Sequence, residues 1–132
     1  MRIYVAGRYK KLEEIRKIYK ILEEKKHTIT NKWTEQHSIK PYQDNMDKVA
    51  QYLSEDFDGI DAADLFVLLA EYAADARGCH IELGYALRKR QIQGSPKIFV
   101  VYPQDNPSLF YLHANITLVD SFEKFLESME EV

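Results

Sequence analysis

Asp64-Leu65-Phe66-Val67-Leu68-Leu69-Ala70 is the stretch on which the fold turns. From Leu65 to Ala70 every residue is apolar, with no polar alternation, so both faces of the segment are buried. A strand buried on both faces belongs in the middle of a parallel sheet. Asp64 marks its entry, and Asp58-Gly59 upstream reads as the stop of a preceding helix. That helix spans about Asp44 to Phe57, with Met46, Val49, Ala50, Leu53 and Phe57 as its apolar stripe. Downstream, Glu71 to Gly78 reads as a loop and Cys79 to Gln91 as a helix. Gly94-Ser95-Pro96 turns the chain into a further strand, Lys97 to Tyr102.

The same grammar extends to both ends. Ile3-Tyr4-Val5-Ala6 is a short strand ending at Gly7. From about Tyr9 to Lys26, Leu12, Ile15, Tyr19 and Leu22 recur at steps of three and four on one helical face. Thr28 to Trp33 reads as a strand, and Glu35 to Gln43 as a loop broken by Pro41. After Pro103 and Pro107, one helical turn is expected near Leu109 to Leu112, then a strand from Ile116 to Val119. Ser121 caps a final helix carrying Phe122, Phe125, Leu126 and Met129. Strands that alternate with helices require crossovers, hence a parallel sheet with helices on both faces. In such sheets ligands sit beyond the carboxyl ends of the strands. The loops after Ala6, Ala70 and Val101 are therefore the ones to search.

Composition narrows the function classes. The 132 residues suit one domain, 1–132, and 45% hydrophobic with 30% charged residues is an ordinary globular balance. A net charge of −3 argues against nucleic acid as partner. One cysteine, Cys79, excludes a disulfide-built scaffold. The longest apolar run is far below the ~20 residues that span a bilayer, so no membrane partner is expected. The opening Met1 to Ala6, interrupted by Gly7-Arg8, does not read as a signal peptide, and the expected setting is cytoplasmic. His27, His37, His80 and His113 are scattered, without the spacing of a zinc site, and Asp56-x-Asp58 lacks an evident third ligand. There is no P-loop and no Gly-x-Gly-x-x-Gly, so neither metal nor cofactor is expected.

The segment after the central strand, Arg77-Gly78-Cys79-His80-Ile81-Glu82-Leu83-Gly84-Tyr85-Ala86, carries the chemistry. Glu82 is expected in the first turn of the third helix, where the helix dipole keeps a carboxylate ionised. Such a carboxylate can attack an anomeric carbon, or simply cap the helix. Cys79 and His80 are adjacent, so their side chains point about 100° apart, a poor nucleophile–base pair.

Taken together, Ile3 to Gly7, Asp56 to Asp64, Gly78 to Leu87 and Leu118 to Ser121 resemble the nucleoside 2-deoxyribosyltransferase family, in the right order and across nearly the whole chain. The resemblance implies a flavodoxin-like three-layer α/β sandwich, with a five-stranded parallel sheet flanked by helices. It also implies cleavage of the N-glycosidic bond of a 2′-deoxynucleoside or its monophosphate. Glu82 matches the family nucleophile, which forms a covalent deoxyribosyl-enzyme before a second base, or water, takes the sugar with net retention. Tyr4 matches a tyrosine that hydrogen-bonds the nucleophile, and Asp56 an acid near the departing base. Crowding by Asp58, Asp61 and Asp64 offers a way to raise one aspartate's pKa, although Asp58-Gly59 as a turn, Asp61 as a loop cap and Asp64 at the entry to the central strand are the simpler reading.

Gly7, Arg8, Asp75, Gly78 and Ser108 are the candidate substrate-binding positions, Arg8 and Asp75 standing where the chain departs from the family pattern. Where nucleoside-type relatives carry an acid and nucleotide-type relatives a serine, this chain has Ala76, with Asp75 one residue away. Ser108 matches a serine that reaches a neighbouring subunit's phosphate, so a homodimer or larger homo-oligomer is implied. Trp33, Tyr85, Phe110 and Tyr111 are candidate interface or base-stacking aromatics. The leading expectation is transfer of the sugar between bases. The alternative is a 2′-deoxynucleoside 5′-monophosphate N-glycosidase with the same nucleophile. An NAD-cleaving domain and a nucleotide-binding module without turnover are the more distant readings.

Overall fold

The computed structural model describes residues 1–70 and 77–130. Five strands, β1 (Arg2–Ala6), β2 (Thr28–Ile29), β3 (Leu65–Leu69), β4 (Lys97–Val101) and β5 (Ile116–Val119), form one sheet in the order β2-β1-β3-β4-β5. Every pairing is parallel. This is the flavodoxin-like order, with its switch point between β1 and β3. The expected central strand lies at its centre, and Leu65 to Leu68 are buried.

Four helices cover the sheet: α1 (Leu12–Glu24), α2 (Met46–Asp61), α3 (Arg77–Gln93) and α4 (Phe122–Glu130). Strand alternation sorts them into two layers. The register row Val5, Val67, Phe99 meets one layer, where Phe99 packs edge-on against Phe125 of α4. Lys25, just past α1, pairs with Glu130 of α4 on that side. The neighbouring row, Tyr4, Phe66, Ile98, faces α2 and α3, which meet through Phe57 and Tyr85. Among the described residues no helix is long and apolar enough to cross a membrane.

Several boundaries differ from the sequence reading. The second strand is only Thr28–Ile29, followed by a 3-10 turn at Trp33–Glu35. Trp33 is tied down by its indole N–H, which donates to the Val5 carbonyl at 2.7 Å. The first helix is split into a 3-10 turn, Tyr9–Lys11, and α1. The second helix does not stop at Asp58-Gly59 but runs through Gly59 to Asp61. The glycine serves packing rather than a turn: a Cβ on Gly59 would lie 2.9 Å from the Asn31 Cβ and 3.1 Å from the Tyr4 ring. Asp64 does set the entry to β3, accepting from the Arg2 backbone N–H at 2.8 Å and pairing with its guanidinium at 3.2 Å. Ser121 caps α4 through the Lys124 N–H at 3.1 Å.

Candidate active site

The carboxyl end of β1 and the first turns of α3 open onto a cleft of about 550 Å³, within the range of small-molecule sites. Tyr4, Gly7 and Arg8 line it from β1 and its loop; Arg77, Gly78, Cys79 and Glu82 from α3. Asp56 enters from α2, and Trp33, Gln36, Lys40 and Tyr42 from the segment after β2.

Glu82 and Tyr4 meet because strand pleat and helix pitch bring them to one face. Tyr4 is fully buried, its ring stacked parallel on Phe66 with centroids 5.7 Å apart. Packing fixes the ring, and its hydroxyl donates to Glu82 Oε2. Glu82 lies in the second turn of α3 rather than the first, because the helix begins at Arg77. The dipole decays within the first turn and no longer dominates there. Burial lifts the Glu82 carboxyl to about 7, the Tyr4 bond opposes that rise, and the Asp56 charge adds to it. Near neutral pH the carboxyl is thus shared between its two forms, where the dipole alone would keep it ionised. Tyr4 itself is pushed far above the usual phenol range, by burial first and then by the charges of Glu82 and Asp56. It therefore keeps its proton and has it to donate to Glu82.

Asp56 is half-buried, and the Asn31 side-chain amide donates to its Oδ1 at 2.8 Å. Burial raises its carboxyl to about 6; bonds from Asn31 and Gln36 pull it down, and Glu55 pushes it up. The cause is desolvation, not the aspartate crowding anticipated from sequence. Asp58 lies within the helix, and Asp61 accepts from the Tyr85 hydroxyl at 2.7 Å. Two carboxyls that titrate within about a unit of neutrality in one cleft are suited to proton transfer. Cys79 is not a competing nucleophile: burial raises its thiol to about 11, so it stays protonated.

The expected binding residues divide. Gly7, Arg8 and Gly78 line the cleft. Among the described residues, no atom lies within 4 Å of a Cβ placed on Gly78, so its wall is open. Asp75 lies outside the described residues. Ser108 borders a different cavity, of about 510 Å³, with His80, Leu83, Tyr102 and Tyr111. There its hydroxyl caps the short Leu109–Leu112 turn, accepting from the Phe110 N–H at 3.3 Å. Of the candidate aromatics, Trp33 is buried beside the cleft, and Tyr111 is buried with its hydroxyl 2.7 Å from His80 Nε2. Tyr85 packs on Phe57, and Phe110 is exposed. Sequence reasoning missed Gln36, Lys40, Tyr42 and Asn31. All four follow a two-residue strand, where no periodicity betrays which side chains return to the sheet.

No family model matches the chain, and no curated protein sequence matches it. Solved structures that share its architecture include the Clostridium botulinum CMP N-glycosidase BcmB, with a TM-score of 0.66, 22% identity, and 100% of each chain covered. Another is a 2-deoxyribosyltransferase from the psychrotolerant bacterium Bacillus psychrosaccharolyticus, with a TM-score of 0.65, 15% identity, and 95% of this chain and 90% of that one covered. The fold is theirs. Both are enzymes of the kinds that the sequence resembles.

Proposed function

We propose that this chain cleaves the N-glycosidic bond of a 2′-deoxynucleoside or its 5′-monophosphate and passes the sugar to an acceptor base. The observation that carries the reading is the Tyr4 hydroxyl donating to Glu82 Oε2 in a cleft that Asp56 also enters. Tyr4 occupies Oε2 and leaves Oε1 to attack C1′. As the C1′–N bond breaks, its electron pair goes to the base, and a proton passes from Asp56 to the base. The transition state is cationic at the sugar, and an ionised Glu82 stabilises it at close range. The acceptor base then attacks C1′ from the opposite side, Asp56 takes up its proton, and Glu82 is released with net retention.

The active form needs Glu82 ionised and Asp56 protonated. With the two carboxyls at about 7 and about 6, the rate is bell-shaped in pH with its optimum midway, near ~6.5.

Hydrolysis of the 5′-monophosphate is the second reading, and a specific observation favours that substrate. Arg8, Lys10, Lys40 and Arg77 all line the cleft of a chain whose net charge is −3. Cations concentrated against the overall charge suit a phosphate. A homodimer completing the site is part of the proposal. It is supported by the Ser108 cavity and the exposed Leu109, Phe110 and Leu112 beside it.

The test is product chromatography. Wild type and Glu82→Ala each meet 2′-deoxynucleosides, their 5′-monophosphates and ribonucleosides, with and without a free acceptor base. Free base from wild type only, plus a new nucleoside when acceptor is added, supports transfer. Free base without exchange supports the hydrolase. No release from any substrate by folded protein overturns both.

A further inference from the structure

Among the described residues that line the cleft Asn31 is not one; its side chain reaches the chemistry through Asp56. It sits just beyond β2, and its Cβ lies where a side chain on Gly59 would go, 2.9 Å from that position. Gly59 is one helical turn after Asp56, on the same side of α2. The glycine therefore lets α2 close onto Asn31 and onto the Tyr4 ring together, and Asn31 is wedged beneath Asp56. Its amide nitrogen has only donors to offer.

We propose that Asn31 is a positioning residue for the departing base: by donating to Asp56 Oδ1 it reserves Oδ2 for the proton and holds that oxygen toward the cleft. This rests on the reading that Asp56 protonates the base. An oxygen already accepting an N–H is the poorer seat for the acid proton, so the O–H forms at Oδ2. During cleavage that proton moves from Oδ2 to the base as the base takes the C1′–N electron pair. Asp56 is left as a carboxylate, its charge then stabilised by the same amide.

Other groups bear on the titration of Asp56. Tyr4 of β1, Tyr19 of α1 and Glu82 of α3 each interact with it, and Glu55 precedes it on α2. Gln36 donates from the loop after β2. Arg8, Lys10, Lys40 and Arg77 line the same cleft. Glu55 and Glu82 favour the protonated form, the cations the ionised one. Gln36 is a neutral amide donor as well, but it lines the cleft; Asn31 is the donor held from behind, by its packing against Gly59.

The experiment has two arms. In the first, carboxyl carbons are labelled and the Asp56 titration is followed by NMR in wild type, Asn31→Leu and Asn31→Ser. Loss of the amide is expected to move the Asp56 titration to higher pH in both variants. In the second, kcat, KM and the pH profile are measured on the substrate that wild type cleaves best. Both variants are expected to lose about 10- to 100-fold in kcat, with KM within about threefold and the optimum shifted upward. If Asn31→Leu fails to fold, Asn31→Ser, which removes volume rather than adding apolar bulk, carries the test. An unchanged Asp56 titration overturns the proposal. So does a fall in kcat with an unshifted pH profile, because that is the mark of a merely structural role. If wild type cleaves no nucleoside, the functional reading fails on its own, and the NMR arm still decides whether Asn31 governs Asp56.

Discussion

Replacing Glu82 by glutamine should abolish turnover and at the same time stabilise the protein, and only in one pH range. In the unfolded chain this carboxyl titrates near 4.5; in the folded chain burial lifts it to about 7. Between those values the folded chain holds a proton that the unfolded chain has released. Stability therefore falls as pH rises through that window and is lowest above it. Lifting a carboxyl from 4.5 to about 7 costs about 3 kcal/mol once the pH exceeds both values. Glutamine is neutral at every pH, nearly the same size, and keeps an oxygen for the Tyr4 hydroxyl. It also removes the negative charge that faces Asp56. A chain of 132 residues gains about 4 °C in Tm per kcal/mol, so Glu82→Gln should melt about 12 °C higher than wild type at pH 8. At pH 4.5 the gain should shrink below about 1 kcal/mol, because the wild-type carboxyl is then protonated in the folded state at no cost. Thermal melts by circular dichroism at both pH values make the comparison. Equal melting temperatures at pH 8, or a larger gain in acid than in base, would refute the claim that Glu82 is a desolvated carboxyl.

Three further outcomes follow from the same geometry. Tyr4→Phe keeps the ring stacked on Phe66 but removes the donor to Glu82, so kcat/KM should fall about 10- to 100-fold and the pH optimum should rise; steady-state kinetics from pH 5 to 9 measure both. Gly59→Ala forces a Cβ against Asn31 and the Tyr4 ring, which should cost about 1–3 kcal/mol in urea unfolding, with folding intact but activity reduced. Arg8→Ala should raise KM for a 5′-monophosphate about 10-fold or more while leaving KM for the unphosphorylated nucleoside within about twofold; equal effects on the two would remove Arg8 from any phosphate site.

The sequence by itself carried the architecture, because hydrophobic burial is a one-dimensional signal when it is repeated. Leu65 to Leu69, short, without a polar residue and bounded by turn signals, reads as a strand covered on both sides, and strands alternating with amphipathic helices pair in parallel through crossovers. Glu82, Tyr4 and Asp56 were legible as candidates through the segments around them. Their relation was not, since they are brought together from α3, β1 and α2 across 78 residues of separation between Tyr4 and Glu82. The protonation of Glu82 was decided by tertiary structure as well. A rule of helix position predicts an ionised carboxylate, and desolvation in the folded cleft outweighs it. Gly59 shows the same limit from the other side: after aspartate it reads as a helix stop, but its missing side chain is what lets α2 close on Tyr4 and Asn31. Local propensity sees the chain before and after a residue; it cannot see what packs against it.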